Sequence, residues 1–178
     1  MALTKIIGSG IGTVTNQFAD GNMSSGSVLQ VVQTVYTGSD TYNHSNTSGD
    51  VAGLSVSITP SSTSSNILIH CHISYATTQD GCGNVFQLFR GSSQIGGATG
   101  GTVFQGFIGL TNNHGQANSV GLLQTVSGSF LDSPSTTSAT TYKIRHQGVS
   151  GSTPIIINKN ESDQIAAIST ITATEIAG

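Results

Sequence analysis

Hydrophobic and polar residues alternate along most of this chain with a period of two, which is the period of a β-strand. The clearest example is residues 51–59, where one face is apolar and the other is mostly Gly and Ser. The residues predicted to share the buried face are Ala52, Leu54, Val56 and Ile58. Pro60 follows at once and has no N–H to donate to a ladder, so the strand is predicted to end there.

A second alternating stretch, NILIHCHISY at residues 66–75, predicts another strand with one core face. The predicted core face consists of Ile67, Ile69, Cys71, Ile73 and Tyr75, and the opposite face of Asn66, Leu68, His70, His72 and Ser74. Residues 84–90 come after a Gly-containing turn and are predicted to be the hairpin partner of this strand.

Strand signals recur at short intervals along the rest of the chain, and no segment has the apolar stripe of an amphipathic helix. The other predicted strands are residues 28–36, 103–110, 120–131, 140–147, 154–158 and 167–177. About nine short antiparallel strands predict an all-β fold, an antiparallel β-sandwich of the jelly-roll type. A seven-stranded immunoglobulin-like sandwich is the alternative, and the absence of Trp and of a spaced Cys pair weighs against it.

The first 26 residues differ from the rest because glycines interrupt every regular period. We therefore predict an extended N-terminal arm at residues 1–26 and a single β-sandwich domain at residues 27–178. The arm is too apolar for a solvated linker, and its apolar side chains are Ile6, Ile7, Ile11, Val14 and Phe18. We predict that these side chains dock on another protein, and the alternative is that the arm lies across its own domain.

Charged residues make up only 7% of the chain, against roughly 25% in an average soluble protein. Five Lys plus Arg residues and a net charge of −3 provide no basic patch, so we expect no nucleic-acid partner. No apolar run approaches the roughly 18–20 residues of a membrane-spanning helix, so we expect no membrane partner. The N-terminal residues contain no apolar stretch of signal-peptide length, which predicts a protein made and assembled inside a cell.

The chain offers few groups for catalysis, with eight carboxylates and five histidines. Because none of the nucleophile, zinc-protease or phosphate-loop motifs is present, we predict neither an enzyme nor a bound cofactor. Oxygen-bearing side chains do cluster at one turn, formed by Asn158, Asn160, Ser162 and Asp163. A calcium loop normally carries more carboxylates, so we interpret this segment as a polar turn.

The sharpest local feature is the tripeptide His70-Cys71-His72. On a strand, the two imidazoles lie on one face about 7 Å apart, and Cys71 lies on the other. Two imidazoles do not complete a metal site, although three copies around a threefold axis would bring together enough for one. We predict surface or subunit-interface histidines and assign no metal. Cys71 and Cys82 are predicted to be unreactive thiols, with a disulfide as the alternative.

Four stretches of the chain resemble a family of small virion-associated proteins of tailed phages, particularly phages of cyanobacteria. The stretches are GSVLQVVQT (26–34), GLSVSITPSSTSSNILI (53–69), FLDSPSTTSATTYKI (130–144) and STITATEIAG (169–178). The opening MALTKI is similar to the start of many phage fibre and decoration proteins. The resemblance implies a virion protein assembled in the host cytoplasm, and it brings no catalytic residues with it.

What the resemblance implies most directly is a trimeric capsid decoration, or cement, protein that binds the major capsid protein. Trimerisation would bury one face of the domain and cover strand edges, which are otherwise prone to aggregate. The alternative is a tail-fibre or receptor-binding tip domain that recognises host surface glycans. The loop residues predicted to contact a glycan in that case are Tyr42, His44, Asn112, Asn113 and His114.

Overall fold

The computed structural model describes residues 23–43, 48–78, 83–98, 105–111, 121–148 and 154–178. These residues form antiparallel strands in two sheets and contain no helix, so the predicted all-β sandwich is confirmed and the jelly-roll connectivity stays a prediction. The strands are β1 Val28–Tyr36, β2 Thr41–Tyr42, β3 Ser48–Ile58, β4 Asn66–Thr77, β5 Gly83–Arg90, β6 Ser93–Ile95, β7 Ile108–Thr111, β8 Gln124–Asp132, β9 Thr140–Gly148, β10 Ile155–Ile157 and β11 Ser169–Ile176.

The first sheet, sheet A, has the strand order β1-β11-β4-β10-β2, and β8 pairs with the other edge of β4. Over most of its length this sheet is therefore four strands wide, with β1 and β8 as its outer strands. The second sheet, sheet B, has the order β3-β9-β5-β6, with β7 also paired to β5. All of these pairings are antiparallel.

The core lies between the two sheets and follows the predicted alternation. Its largest fully buried side chains are Tyr142, Phe86, Leu54, Ile58, Ile67, Ile69, Ile73, Leu88, Ile144, Ile155, Ile157 and Ile171. β4 contributes the predicted face, since Ile67, Ile69, Cys71, Ile73 and Tyr75 are all buried. On the opposite face, Ser74 is buried, and its hydroxyl donates to the carbonyl of Ile168 at 3.1 Å.

A bulge in β3 changes the face that the sequence pattern assigns to Ala52. The register against β9 shifts between Asp50 and Ser55, and Gly53 takes a left-handed conformation at φ +73°. Because the bulge adds residues on one strand, Val51 turns into the core and Ala52 is exposed. The prediction that Ala52 is a core residue was therefore wrong, whereas Leu54 and the apolar residues after it are buried as predicted.

The predicted hairpin between residues 66–75 and 84–90 was also wrong. β4 pairs with β8, β10 and β11 in sheet A, whereas β5 pairs with β6, β7 and β9 in sheet B. The chain thus crosses between the sheets at this point. Both strands are apolar enough to pack face to face across the core instead of side by side.

Other differences concern short strands and strand ends. The described residues contain eleven strands where about nine were predicted, because β2 and β6 are too short to show alternation. The strand predicted at residues 103–110 begins at Ile108, and the one predicted at 120–131 begins at Gln124 and continues to Asp132. Residues 103, 104 and 120 lie outside the described residues.

Two buried carboxylates tie the sheets together. Glu175 of β11 accepts hydrogen bonds from Gln30 Nε2 at 2.5 Å and from the backbone N–H and the hydroxyl of Ser61, each at 2.7 Å. Ser61 follows the end of β3, so this network joins the two sheets at one end. Burial alone would raise the pKa of Glu175, but the hydrogen bonds outweigh it and hold the pKa below its ordinary value.

The second carboxylate, Asp132, ends β8 in sheet A. It accepts two hydrogen bonds from Arg90 Nη1 of β5, at 3.0 and 2.9 Å, and one from the hydroxyl of Tyr142 of β9, at 2.7 Å. Burial and the hydrogen bond to Asp132 raise the pKa of Tyr142. Because Arg90 and Tyr142 both belong to sheet B, this network is a second direct link between the two sheets.

Candidate interaction surface

The outer surface of sheet A is formed by β1, β11, β4 and β8 lying side by side. Alternate residues of each strand point away from the core, and we call this surface the sheet-A face. Its members are Val31, Gln33 and Val35 of β1, Thr170, Thr172 and Thr174 of β11, Leu68, His70 and His72 of β4, and Thr125, Ser127, Ser129 and Leu131 of β8.

The strand register arranges these side chains in rows that run across all four strands. One row is mainly aliphatic and consists of Val31, Thr174, Leu68 and Leu131. Val31 is 60% exposed and Leu131 is 53% exposed, at the two outer strands of the row. Val28 and Val35, also on β1, are exposed as well. Exposed aliphatic side chains that follow one another across a sheet are typical of an interaction surface.

The next two rows are polar and contain the histidines. Gln33, Thr172, His70 and Ser129 form one row, and Val35, Thr170, His72 and Ser127 form the other. A hydrogen bond of 2.9 Å joins His70 Nδ1 to Ser129 Oγ, and one of 3.3 Å joins His72 Nδ1 to Ser127 Oγ. Both imidazoles are thus held toward β8, and the prediction that they share one face of the strand agrees with this arrangement.

The sheet-A face carries no Lys, Arg, Asp or Glu side chain among its members. Its polar atoms are hydroxyls, one amide and two imidazoles, and the Gln33 amide donates to the Thr172 hydroxyl at 2.9 Å. The outer strands β1 and β8 each have one edge with which no other strand pairs among the described residues. A face without Lys, Arg, Asp or Glu lacks one of the usual features that keep a sheet from associating with another protein.

The outer surface of sheet B, in contrast, carries charges that are paired within the chain. Asp50 accepts a hydrogen bond from Lys143 Nζ at 2.7 Å and forms an ion pair with Arg145, whose Nε lies 3.0 Å from Asp50 Oδ1; the bulge in β3 places Asp50 beside both. The guanidinium of Arg145 also lies over the ring of Phe89, 4.7 Å from its centroid. This stacking covers Phe89, which is consequently buried although it points away from the core.

Amide groups cover the neighbouring part of the sheet-B surface. Gln87 Nε2 donates to Gln147 Oε1 at 2.9 Å and to the carbonyl of Gln105 at 3.3 Å. Gln94 Nε2 donates to the same carbonyl at 2.6 Å. Ion pairs and hydrogen bonds within the chain therefore pair many of the polar groups on the outer surface of sheet B.

Most residues that the sequence predicts as contact residues lie outside the described residues. These are the arm residues Ile6, Ile7, Ile11, Val14 and Phe18 and the loop residues His44, Asn112, Asn113 and His114. Their roles stay predictions.

Tyr42 is described, and it lies in the short strand β2 instead of a loop. Its ring is partly buried, and its hydroxyl accepts a hydrogen bond from the N–H of Ala52 at 2.8 Å. The hydroxyl also lies 3.3 Å from Asp40 Oδ2, which receives a hydrogen bond from the Tyr36 hydroxyl. Burial raises the pKa values of both tyrosines.

The remaining candidate groups are buried or bonded within the fold. Asn158 is buried and donates to the carbonyls of Tyr36 and Gly38, both at 2.8 Å. In the turn that follows, Lys159 Nζ pairs with Asp163 at 2.7 Å. Cys71 is a free thiol whose pKa is raised to about 11 by burial, and Cys82 lies outside the described residues.

Among the described residues, no group of three or more His, Cys, Asp or Glu side chains is placed to hold a metal ion. The same residues contain no helix long and apolar enough to cross a membrane.

No protein-family model and no curated protein matches the sequence. Solved structures that match include a structure of infectious bursal disease virus, Gx strain, with a TM-score of 0.43 and 11% identity over 87% of this chain and 39% of the viral chain. The VP2 subviral particle of infectious bursal disease virus matches with a TM-score of 0.43 and 9% identity over 84% of this chain and 38% of the viral chain. T=1 particles derived from the virus match with a TM-score of 0.41 and 8% identity over 84% of this chain and 36% of the viral chain.

This chain thus spans less than two fifths of the length of each viral chain. At these values of identity and TM-score, the likeness carries no argument about what this chain does.

Proposed function

We propose that this protein is a non-enzymatic structural component of a phage virion, a trimeric capsid decoration protein that binds the major capsid protein and stabilises the head. The observation that carries the proposal is the sheet-A face, which has no Lys, Arg, Asp or Glu and is partly aliphatic, and which is bordered by strand edges that no described strand pairs with. A surface of this kind favours a lasting contact with protein, because burying it costs little desolvation of charge.

The N-terminal arm supplies the second half of the proposed mechanism. The first described residues enter the domain beside the C-terminus, since Gly26 N–H donates to the carbonyl of Ala177 at 2.8 Å. Three arms would leave a trimer from equivalent positions, with Ile6, Ile7, Ile11, Val14 and Phe18 as apolar anchors on the capsid. Contacts that are weak for one arm would add up through the linked copies.

Deletion of residues 2–25 tests this mechanism. We expect the truncated protein to fold and to trimerise, as checked by circular dichroism and light scattering, but not to co-sediment with capsids that lack the protein. A full-length variant with Ile11→Ser and Phe18→Ser should bind capsids more weakly while its oligomeric state is unchanged. Normal decoration by the truncated protein would show that the arm is not the docking element.

The second candidate function is a receptor-binding tip that recognises host surface glycans through loops near Tyr42, His44, Asn112, Asn113 and His114. It uses the same domain with its loops directed toward the host. Because the Tyr42 hydroxyl is already bonded to the backbone of the bulge, we expect the other four residues to carry most of any glycan contact. Electron microscopy of virions with a labelled protein separates the two candidates, since one predicts label on the head and the other on the tail.

A further inference from the structure

We propose that residues 13–20 of the N-terminal arm pair with the free edge of β1 in the same chain and add one antiparallel strand to sheet A. This inference does not depend on the virion role. It can fail while that role stands, because the proposed anchors Ile6, Ile7 and Ile11 precede the segment.

The first argument is the incomplete burial of β1. None of its nine residues is fully buried, and even the side chains that face the core, such as Val32 and Thr34, are only half-buried. On β3, an outer strand of sheet B, the core-facing Leu54, Val56 and Ile58 are all buried. A further strand beside β1 would cover the core-facing side chains that β1 leaves partly open.

The second argument is a row of backbone groups along the free edge of β1. Because Ala177 bonds to β1 and the bonds of an antiparallel strand alternate in side, the residues of β11 opposite Val32 and Thr34 also bond to β1. The N–H groups between them point away from β11, and no acceptor for them lies among the described residues. These N–H groups belong to Val31, Gln33 and Val35.

The third argument is that β1 lacks the features that keep an edge strand unpaired. It contains no charged residue and no proline, and its register against β11 is regular from Gln30 to Tyr36. The free edge of β3, in contrast, is interrupted by the bulge at Gly53. There the N–H of Ala52 donates to the Tyr42 hydroxyl at 2.8 Å. The edge of β1 is therefore the more open of the two to an added strand.

The arm is the occupant because of how it joins β1. Ser27 N–H donates to the carbonyl of Ser24 at 3.0 Å, and Gly26 has a φ of +87°, as in a type II β-turn. A β-turn reverses the chain, and Met23, which precedes the turn, lines the same cleft as Leu29 of β1. The arm therefore starts beside the beginning of β1 and needs no further loop to run antiparallel to it.

Residues 13–20 (TVTNQFAD) are the longest stretch of the arm without glycine. They begin with Thr13, Val14 and Thr15, which are β-branched and favour a strand. If Ser24 lies opposite Ser27 and the pairing continues residue by residue, residues 15–20 lie opposite residues 31–36 of β1. An extended segment of eight residues spans roughly 26 Å, which is enough to follow this part of β1.

Amide hydrogen exchange of the full-length chain, measured residue by residue by NMR, tests the pairing. We expect the N–H groups of Val31, Gln33 and Val35 to exchange as slowly as those of Val32 and Thr34, within about tenfold, because all five are then bonded between strands. Exchange of the three edge amides on the order of 100-fold faster than that of the other two would overturn the proposal.

A full-length variant with Asn16→Pro and Gln17→Pro breaks the segment and retains every proposed anchor. Because proline has no N–H, we expect the edge amides of β1 to exchange at least about tenfold faster, with the amides bonded to β11 unchanged. Leu3→Pro with Thr4→Pro, which lies before the segment, is the matched control and should leave exchange as it is. Equal effects of the two proline pairs, or no effect of either, would contradict the pairing.

A spin label separates the arm of the same chain from the arm of a second copy. In a Cys82→Ser background, Gln17→Cys carries the label, since the remaining Cys71 is buried. We expect the label to broaden the NMR signals of the β1 edge amides in its own chain. Broadening confined to ¹⁵N-labelled chains without a spin label, mixed with spin-labelled chains that lack ¹⁵N, would place a second copy's arm on the edge and refute pairing within one chain.

Discussion

The outer surfaces of the two sheets differ in how far their polar side chains are ion-paired or hydrogen-bonded within the chain. On sheet B, Asp50 lies between Lys143 and Arg145, the guanidinium covers Phe89, and a cluster of glutamine amides bonds within itself. On the sheet-A face, the outward side chains are aliphatic, hydroxyl, amide and imidazole groups, with no Lys, Arg, Asp or Glu among them. Sheet B therefore pairs its charges within the chain, whereas the sheet-A face exposes aliphatic and neutral polar side chains, whose burial against another protein would be favourable.

The difference arises from a small number of charged residues and from their placement. The chain has only five Lys and Arg residues, and two of them are on β9 in the middle of sheet B. The strands of the sheet-A face instead carry Val, Thr, Ser and His at the outward positions. The placement of Lys143 and Arg145 on β9 therefore puts paired charges on sheet B and leaves the outward positions of sheet A neutral or imidazole-bearing.

The largest expected effect comes from a charge placed on the aliphatic row. Val31→Lys should leave the fold intact, because Val31 is 60% exposed. In a trimer that forms through the sheet-A face, this variant would bury an unpaired ammonium. Burying such a charge without a partner costs several kcal/mol, and a cost of about 3 kcal/mol already weakens association more than 100-fold. Analytical ultracentrifugation measures this. Ser57→Lys on the sheet-B surface is the matched control, and an equal loss in both variants would refute the contrast between the faces.

The second effect concerns the bulge that places Asp50 on the sheet-B surface. A Cβ at Gly53 would overlap the ring of Tyr36, and the backbone there is left-handed. We expect Gly53→Ala to lower the free energy of unfolding by about 3 kcal/mol.

Gly91→Ala is the control for the bulge, because Gly91 is also left-handed at φ +58° but has open space around its Cβ position. This variant should lose only about 1 kcal/mol. Urea unfolding of both variants gives the comparison, and equal losses would mean that the Tyr36 ring does not restrict this position.

The third effect concerns the hydrogen-bond network of Glu175, which joins the two sheets at one end of the core. Glu175→Gln places an amide NH₂ against one of the donors, Ser61 or Gln30, and should cost about 2 kcal/mol at neutral pH. Since the folded pKa of Glu175 is lowered, its ionised form contributes stability above the unfolded pKa, and this contribution is lost as the pH falls through the folded pKa.

The difference between Glu175→Gln and the unmodified chain should consequently shrink between pH 7 and pH 3, as measured by urea midpoints at both values. Glu161→Gln, at an exposed turn, should show no difference at either pH. A gap that stays constant with pH would mean that Glu175 is not ionised in the folded protein.

The smallest effect is expected from the charges themselves. Asp50 is 52% exposed, and ion pairs at exposed positions contribute at most about 1 kcal/mol. Asp50→Asn should lower the unfolding temperature by only a few degrees, and the difference should decrease with added salt. A large loss that persists at 1 M NaCl would show that Asp50 acts through the shape of the bulge instead of through its charge.

The sequence allowed the strands to be predicted because alternation is a local property. The stretch from Ile67 to Tyr75 shows its core face directly, and the structure agrees. Pairing between strands is not local, and for that reason the proposed hairpin between β4 and β5 was wrong. The bulge at Gly53 was not visible either, because only the register against β9 reveals that Val51 and not Ala52 enters the core.

The candidate surface was only partly predictable for the same reason. His70 and His72 were expected on one face, since two positions on the same strand are enough to say so. The serines that bond them come from β8, and the aliphatic row needs residues of four strands in register. The alternation of Ser127, Ser129 and Leu131 could have indicated an uncharged outward face, but not which strand lies beside it.

The buried thiol of Cys71 gives this protein a built-in reporter of its own opening. The side chain of Cys71 is buried and its pKa is raised to about 11, so that Cys71 is an unreactive thiol in the folded protein at neutral pH. Its modification then requires the two sheets to separate, because Cys71 lies on β4 in the middle of sheet A and faces the core. In a Cys82→Ser background, the rate of labelling thus measures how often the sandwich opens, and its slowing on capsids would measure how much the head stabilises the bound domain.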